Sequence, residues 1–167
     1  MREKGGRLAA VALLVSLVLT GCGGPEDPDA EKSGYYEILD ARGAVVETVA
    51  DPEPLAELDE LLNSFTEGEG TFLEGAVPAA LYTYVYYQEK TLRAGEDPAA
   101  EKTYWEVLRL TVPAEGDTVV LQVLEAGTAA LAEAVPQLDL SDLLTFSYTP
   151  SAQTLEALRD PGRFTAE

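Results

Sequence analysis

The chain has 167 residues, 46% of them hydrophobic, with 11 Lys and Arg against 30 Asp and Glu and no histidine, for a formal charge of −19. That balance excludes a nucleic-acid binder, because phosphates demand clustered Lys and Arg. The missing histidine excludes a Ser-His-Asp triad, a Cys-His pair and the usual zinc sites. The hydrophobic residues fall into periodic blocks, which disordered acidic chains lack, so a folded core is expected.

Met1 to Arg7 carries Arg2, Lys4 and Arg7 against Glu3, and Leu8 to Leu19 is apolar apart from Ser16. This is the charge-then-apolar pattern of a secretory signal. The apolar run has 12 residues, whereas a helix crossing the bilayer needs roughly 20, so a permanent transmembrane anchor is the poorer reading. The run ends in Leu19-Thr20-Gly21-Cys22, and Cys22 is the only cysteine. These four residues resemble the lipobox of bacterial lipoproteins, in which a Leu stands three residues before the cysteine and two small residues follow it. The resemblance implies cleavage between Gly21 and Cys22 and a diacylglyceryl group, with acyl chains such as palmitate, on the Cys22 thiol. It covers the first 22 residues and implies location and modification, not activity. Two or three chains give stable anchoring where one gives marginal binding, at about 0.8 kcal/mol per buried CH₂.

Removing residues 1–21 takes away three basic residues and one acidic residue, so the charge of the remainder goes from −19 to −21. Such a domain gains nothing from anionic lipid heads, and the membrane contact is expected to be the lipid on Cys22 alone. With the one thiol committed to lipid, no disulfide is available, and a domain of roughly 130 residues must bury about two thirds of its unfolded surface unaided.

Gly23 to Gly34 holds two prolines, three glycines, four acids and no large apolar side chain, the composition of a flexible tether. Its acids lack the spacing of a calcium loop. Tyr35 to Ala41 and Ala44 to Ala50, on either side of Arg42-Gly43, read as a β-hairpin. Asp51-Pro52 supplies an N-cap and a first-turn proline, and Leu55, Leu58, Leu61, Leu62 and Phe65 recur at helical spacing, so an amphipathic helix is predicted from Pro52 to Phe65. Thr66 to Gly75 reads as a loop. It has neither a Walker lysine nor a G-x-G-x-x-G pattern to cradle phosphate.

Leu81 to Leu92 is predicted as a long strand with Tyr82, Tyr84 and Tyr86 on one face and Leu81, Val85 and Tyr87 on the other. A polar turn from Arg93 to Lys102 leads to strands at Tyr104–Val112 and Thr118–Ala126, an antiparallel meander. Thr128 to Val135 can form a short helix stopped by Pro136, Leu143 to Tyr148 a last strand, and Ser151 to Arg159 a closing helix ended by Asp160-Pro161-Gly162. The expected organisation is a signal peptide over 1–21, a lipidated Cys22 and acidic tether over 22–34, and one α+β domain over 35–167. Its hairpin and meander form an antiparallel sheet with two or three helices on one face.

No S-x-x-K or G-x-S-x-G motif surrounds any serine of the domain. A pair of carboxylates can hydrolyse glycosides, but with 29 acids after residue 21 no spacing singles out a pair. The sequence therefore points to a non-catalytic binding or protein-interaction module of the cell envelope, with a small carboxylate-dependent envelope hydrolase as the alternative. No cofactor or metal is expected. Tyr82, Tyr84 and Tyr86, together with Trp105, are the candidate surface for a small ligand or an envelope protein, because aromatics dominate interfaces. The competing explanation is that the alternate tyrosines line a half-buried sheet face.

Overall fold

The structure, a computed structural model, describes residues 33–66, 70–73, 75–90, 102–124 and 145–165. Its elements in chain order are β1 (Gly34–Asp40), β2 (Val45–Val49), α1 (Pro52–Thr66), β3 (Thr71–Phe72), β4 (Ala80–Glu89), β5 (Tyr104–Pro113), β6 (Val119–Val123), β7 (Thr145–Tyr148) and α2 (Ala152–Leu158). A 3₁₀ turn at Pro161–Phe164 follows. The seven strands form one antiparallel sheet in the order β2-β1-β4-β5-β6-β7-β3. The expected hairpin and meander are both present, joined through the β1–β4 pairing. The molecule is broadly α+β and mostly sheet.

The β1–β2 connection shows why the hairpin forms at Arg42-Gly43. Asp40 N–H bonds the Ala44 carbonyl at 2.8 Å, and the Asp40 carboxylate accepts from the amides of Arg42 and Ala44 at 2.8 and 2.9 Å. Gly43 takes φ +80°, the left-handed position that closes a three-residue hairpin loop. In α1, Leu55 N–H bonds the Asp51 carbonyl at 3.0 Å, which puts Asp51 at the helix entry and Pro52 in its first turn. The leucine spacing then buries Leu58, Leu62 and Phe65, each side chain contributing roughly 1.5–3 kcal/mol of burial. At α2, Ser151 Oγ accepts from Thr154 N–H at 3.1 Å, a side-chain cap of the kind serine supplies at a helix start.

One face of the sheet carries Tyr36 and Ile38 of β1, Tyr84 and Tyr86 of β4, Leu108, Leu110 and Val112 of β5, Leu121 of β6 and Phe146 and Tyr148 of β7. These join Leu58, Leu62 and Phe65 of α1, Leu155 and Leu158 of α2, and Phe164 in a single core. Tyr36 Oη donates to Asp59 of α1 at 2.9 Å, Phe65 packs edge-on against Tyr148, and Tyr84 Oη donates to the Leu158 carbonyl at 2.8 Å. Val85, Thr111 and Val120 point to the opposite face and are buried too, so the sheet is enclosed from both sides at its centre. The chain end is tied down by the Arg163–Glu57 ion pair and by Thr165 Oγ1 donating to Glu47 at 2.8 Å.

Three features differ from the sequence expectation. Ser33 and Gly34, placed in the tether, belong to the folded domain: Glu89 N–H bonds the Ser33 carbonyl at 2.9 Å and Gly34 starts β1 opposite Gln88. Glycine suits that position because the Tyr86 ring lies over it; a Cβ there would stand 2.3 Å from Tyr86 Oη. The loop over 66–75 contains β3, which pairs with β7 through Thr71–Ser147 and Phe72–Phe146. Finally, β5 carries a bulge at Val107, since Tyr86 pairs with Leu108 while Tyr87 pairs with Glu106. The extra residue inverts the alternation, turning Tyr104 and Glu106 away from the face that holds Leu108 and Leu110. The expected helix over 128–135 lies outside the described residues, as do residues 1–32 with Cys22.

Candidate functional site

The four aromatic residues singled out from the sequence do not share an exposed surface. Tyr84 and Tyr86 are only 1% and 8% exposed and lie in the core, and half-buried Tyr82 packs against it. The tyrosine stripe is thus a structural face. Burial raises the hydroxyl pKa of both Tyr84 and Tyr86, as expected for phenols that must stay neutral in an apolar setting. Trp105 stands apart, opposite Gln88 at the start of β5 and 47% exposed, with Lys90 Nζ 5.8 Å from its ring centre.

A different group of tyrosines gathers on the opposite face. The β1–β4 register sets Tyr35 against Tyr87, and their rings stack at 5.0 Å with an interplanar angle of 13°. The inverted alternation of β5 brings Tyr104 alongside, edge-on to Tyr35 at 5.1 Å. All three are half-buried. Glu37 and Glu106 flank them, the latter paired with Arg109. Partial burial, followed by the Glu37 and Glu106 charges, pushes the Tyr87 hydroxyl up to about 12, and burial with Glu37 raises Tyr35. Tyr35 and Tyr87 stay protonated at neutral pH, and the group offers ring faces and hydroxyls beside carboxylates and a guanidinium. Such a surface suits a hydroxyl- or amine-bearing ligand.

Neither Tyr35 nor Tyr104 was singled out from the sequence. Tyr87 was already assigned to the face opposite Tyr82, Tyr84 and Tyr86. Grouping it with Tyr35 and Tyr104 needs the β1–β4 register and the Val107 bulge, which pairing reveals and a single strand does not.

Ser33 closes this end of the sheet. Its hydroxyl bonds the Glu89 carboxylate, which also accepts from Lys102 at 2.8 Å, and Ser33 Oγ lies 3.3 Å from both Lys102 Nζ and Tyr104 Oη. A serine beside a lysine can suggest a nucleophile and its base. Here the Glu89 hydrogen bond raises the Lys102 amine above the usual lysine value, while Lys102 and Ser33 lower Glu89. These hydrogen bonds tie Ser33, at the start of β1, to Glu89 at the end of β4 and to Lys102 just before β5.

Asp59 is a partly buried acid beside the core: burial raises its carboxyl pKa although the Tyr36 hydroxyl bond opposes the shift. Its partner is a phenol rather than a second carboxylate, so this contact is not the acid pair that glycoside hydrolysis requires. Among the described residues, no group of three or more His, Cys, Asp or Glu is placed to hold a metal. No described helix is long and apolar enough to cross a membrane. No family model matches the chain, and comparison with curated proteins and with solved structures gives no significant match.

Proposed function

We propose that the chain is a bacterial cell-envelope lipoprotein, anchored by lipid on Cys22 and facing the extracytoplasmic side, whose domain is a non-catalytic binding or protein-interaction module. The observation that carries this reading is Leu19-Thr20-Gly21-Cys22 at the end of a 12-residue apolar run behind a basic start. In this reading residues 22–32 are the tether. The α+β domain keeps both described helices on one sheet face, supported by the contacts of α1 with Tyr36 and Tyr148 and of α2 with Tyr84.

The end of the second face that carries the half-buried Tyr35, Tyr87 and Tyr104 meets a small ligand or an envelope protein. It replaces Tyr82, Tyr84, Tyr86 and Trp105 as the ligand surface, because partly accessible stacked aromatics can bind while core tyrosines cannot. No role for nucleic acid or a cofactor enters the reading.

Membrane fractionation of Cys22→Ser tests the anchor. The variant should appear as soluble folded protein or as uncleaved precursor, and mature protein that stays membrane-bound would contradict the reading. Retention of envelope components on beads bearing the intact lipoprotein tests the surface: Tyr35→Ala with Tyr104→Ala should lose what the wild type retains, and equal retention would move the binding surface elsewhere.

A further inference from the structure

The point at which the tether joins the sheet decides which end of the domain stays near the membrane, and that end carries the only tryptophan. Ser33 is held to Glu89 through backbone and side chain and touches Tyr104 and Lys102. Trp105 lies two strands away across β4, about 10 Å at the usual strand spacing. Cys22 and Ser33 are eleven residues apart, a span that averages roughly 17–20 Å for a flexible chain. β1 has seven residues and runs for about 23 Å, so the β1–β2 turn at its far end is farther from the tether junction by about that length.

The chemistry of the near end matches its position. Trp105 is a large aromatic left 47% exposed with the Lys90 amine over its ring, and the two lysines among the described residues, Lys90 and Lys102, are both here. Tryptophan sits at headgroup level in membrane interfaces, and lysine extends its amine to the same depth. A weak contact suffices, because a short flexible linker holds its partner at an effective concentration in the mM range. Nearby carboxylates such as Glu89 make this an aromatic contact rather than an electrostatic one.

We propose that Trp105, flanked by Lys90 and Lys102, docks the β4–β5 end of the sheet on the lipid interface and holds the anchored domain in one orientation. The proposal rests on the lipoprotein reading and adds a second membrane contact to the lipid itself.

Because Trp105 is the only tryptophan, its fluorescence reports this contact without interference. The lipidated full chain is reconstituted into phosphatidylcholine vesicles, some carrying headgroup spin-labelled lipid, and acrylamide serves as the water-side quencher. Docking predicts a blue-shifted emission, quenching by the labelled lipid and at least twofold protection from acrylamide. Lys90→Glu should reduce the lipid quenching at least twofold with the same amount of protein floating with the vesicles. Protein that floats but shows Trp105 open to acrylamide and untouched by labelled lipid overturns the dock while leaving the anchor intact, and would assign the tryptophan to a protein contact or to water. Protein that does not float overturns both.

Discussion

The two faces of the sheet use the same residue type for opposite purposes. Tyr36 and Tyr84 are nearly inaccessible, and each hydroxyl is committed to a helix, to Asp59 of α1 and to the Leu158 carbonyl of α2. One residue away in the chain, Tyr35 faces the other side, stacked on Tyr87 and within reach of Tyr104. Composition does not separate these tyrosines. Strand parity does, together with the Val107 bulge that resets it in β5.

The sharpest way to break the contrast is to truncate one tyrosine on each face. Tyr84→Ala removes a buried ring, its edge contact with Phe164 and the bond to Leu158, and should cost about 3–5 kcal/mol. Tyr35→Ala removes a half-buried ring with two aromatic contacts and should cost less, about 1–2 kcal/mol. Urea unfolding midpoints measure both, and equal losses would mean that the Tyr35, Tyr87 and Tyr104 group is core as well.

Gly34→Ala probes where the tether ends. A methyl group there collides with the Tyr86 ring, and overpacking of this kind costs about 1–3 kcal/mol. An unchanged midpoint would put Gly34 in the tether after all. Arg42→Ala, in the open β1–β2 turn, should change little by comparison, within about 0.5 kcal/mol.

The smallest effect concerns Asp59, whose carboxyl pKa is raised by burial. The folded state then holds this proton more tightly than the unfolded chain, whose aspartates titrate near 3.9. The associated stability is fully present below that value and is lost as pH rises through the higher folded pKa. Asp59→Asn keeps an acceptor for Tyr36 and removes the charge. It should raise stability at neutral pH and flatten the gain on acidification, as followed by unfolding curves between pH 4 and 7. A variant less stable at neutral pH would mean that the charged form is the one the fold favours.

Much of this architecture was legible in single stretches of sequence. Arg42-Gly43 between two β-rich runs marked the hairpin, Asp51-Pro52 and the leucine spacing marked α1, and Ser151 marked α2. The alternating tyrosines of β4 gave its two faces, with core lining as one of the two explanations for the stripe. The rest depended on partners distant in the chain. Two residues of β3 carry no periodicity of their own and become a strand because Thr71 meets Ser147. Trp105 shares the face of the tyrosine stripe through its pairing with Gln88, but at the strand end it is exposed where Tyr84 and Tyr86 are buried, a difference that the strand pattern alone does not carry. The tyrosine group at Tyr35, Tyr87 and Tyr104 is a product of register across three strands.

The proposed lipid anchor on Cys22 is the premise of the envelope reading, since a surface for envelope partners has meaning only on a protein held in the envelope. Mass analysis of the protein extracted from bacterial membranes, intact and as its N-terminal peptide, tests this most directly. A mature chain that begins at Cys22 and carries two or three acyl chains is expected. An unmodified Cys22 thiol, or an N-terminus at another residue, would contradict the lipid anchor.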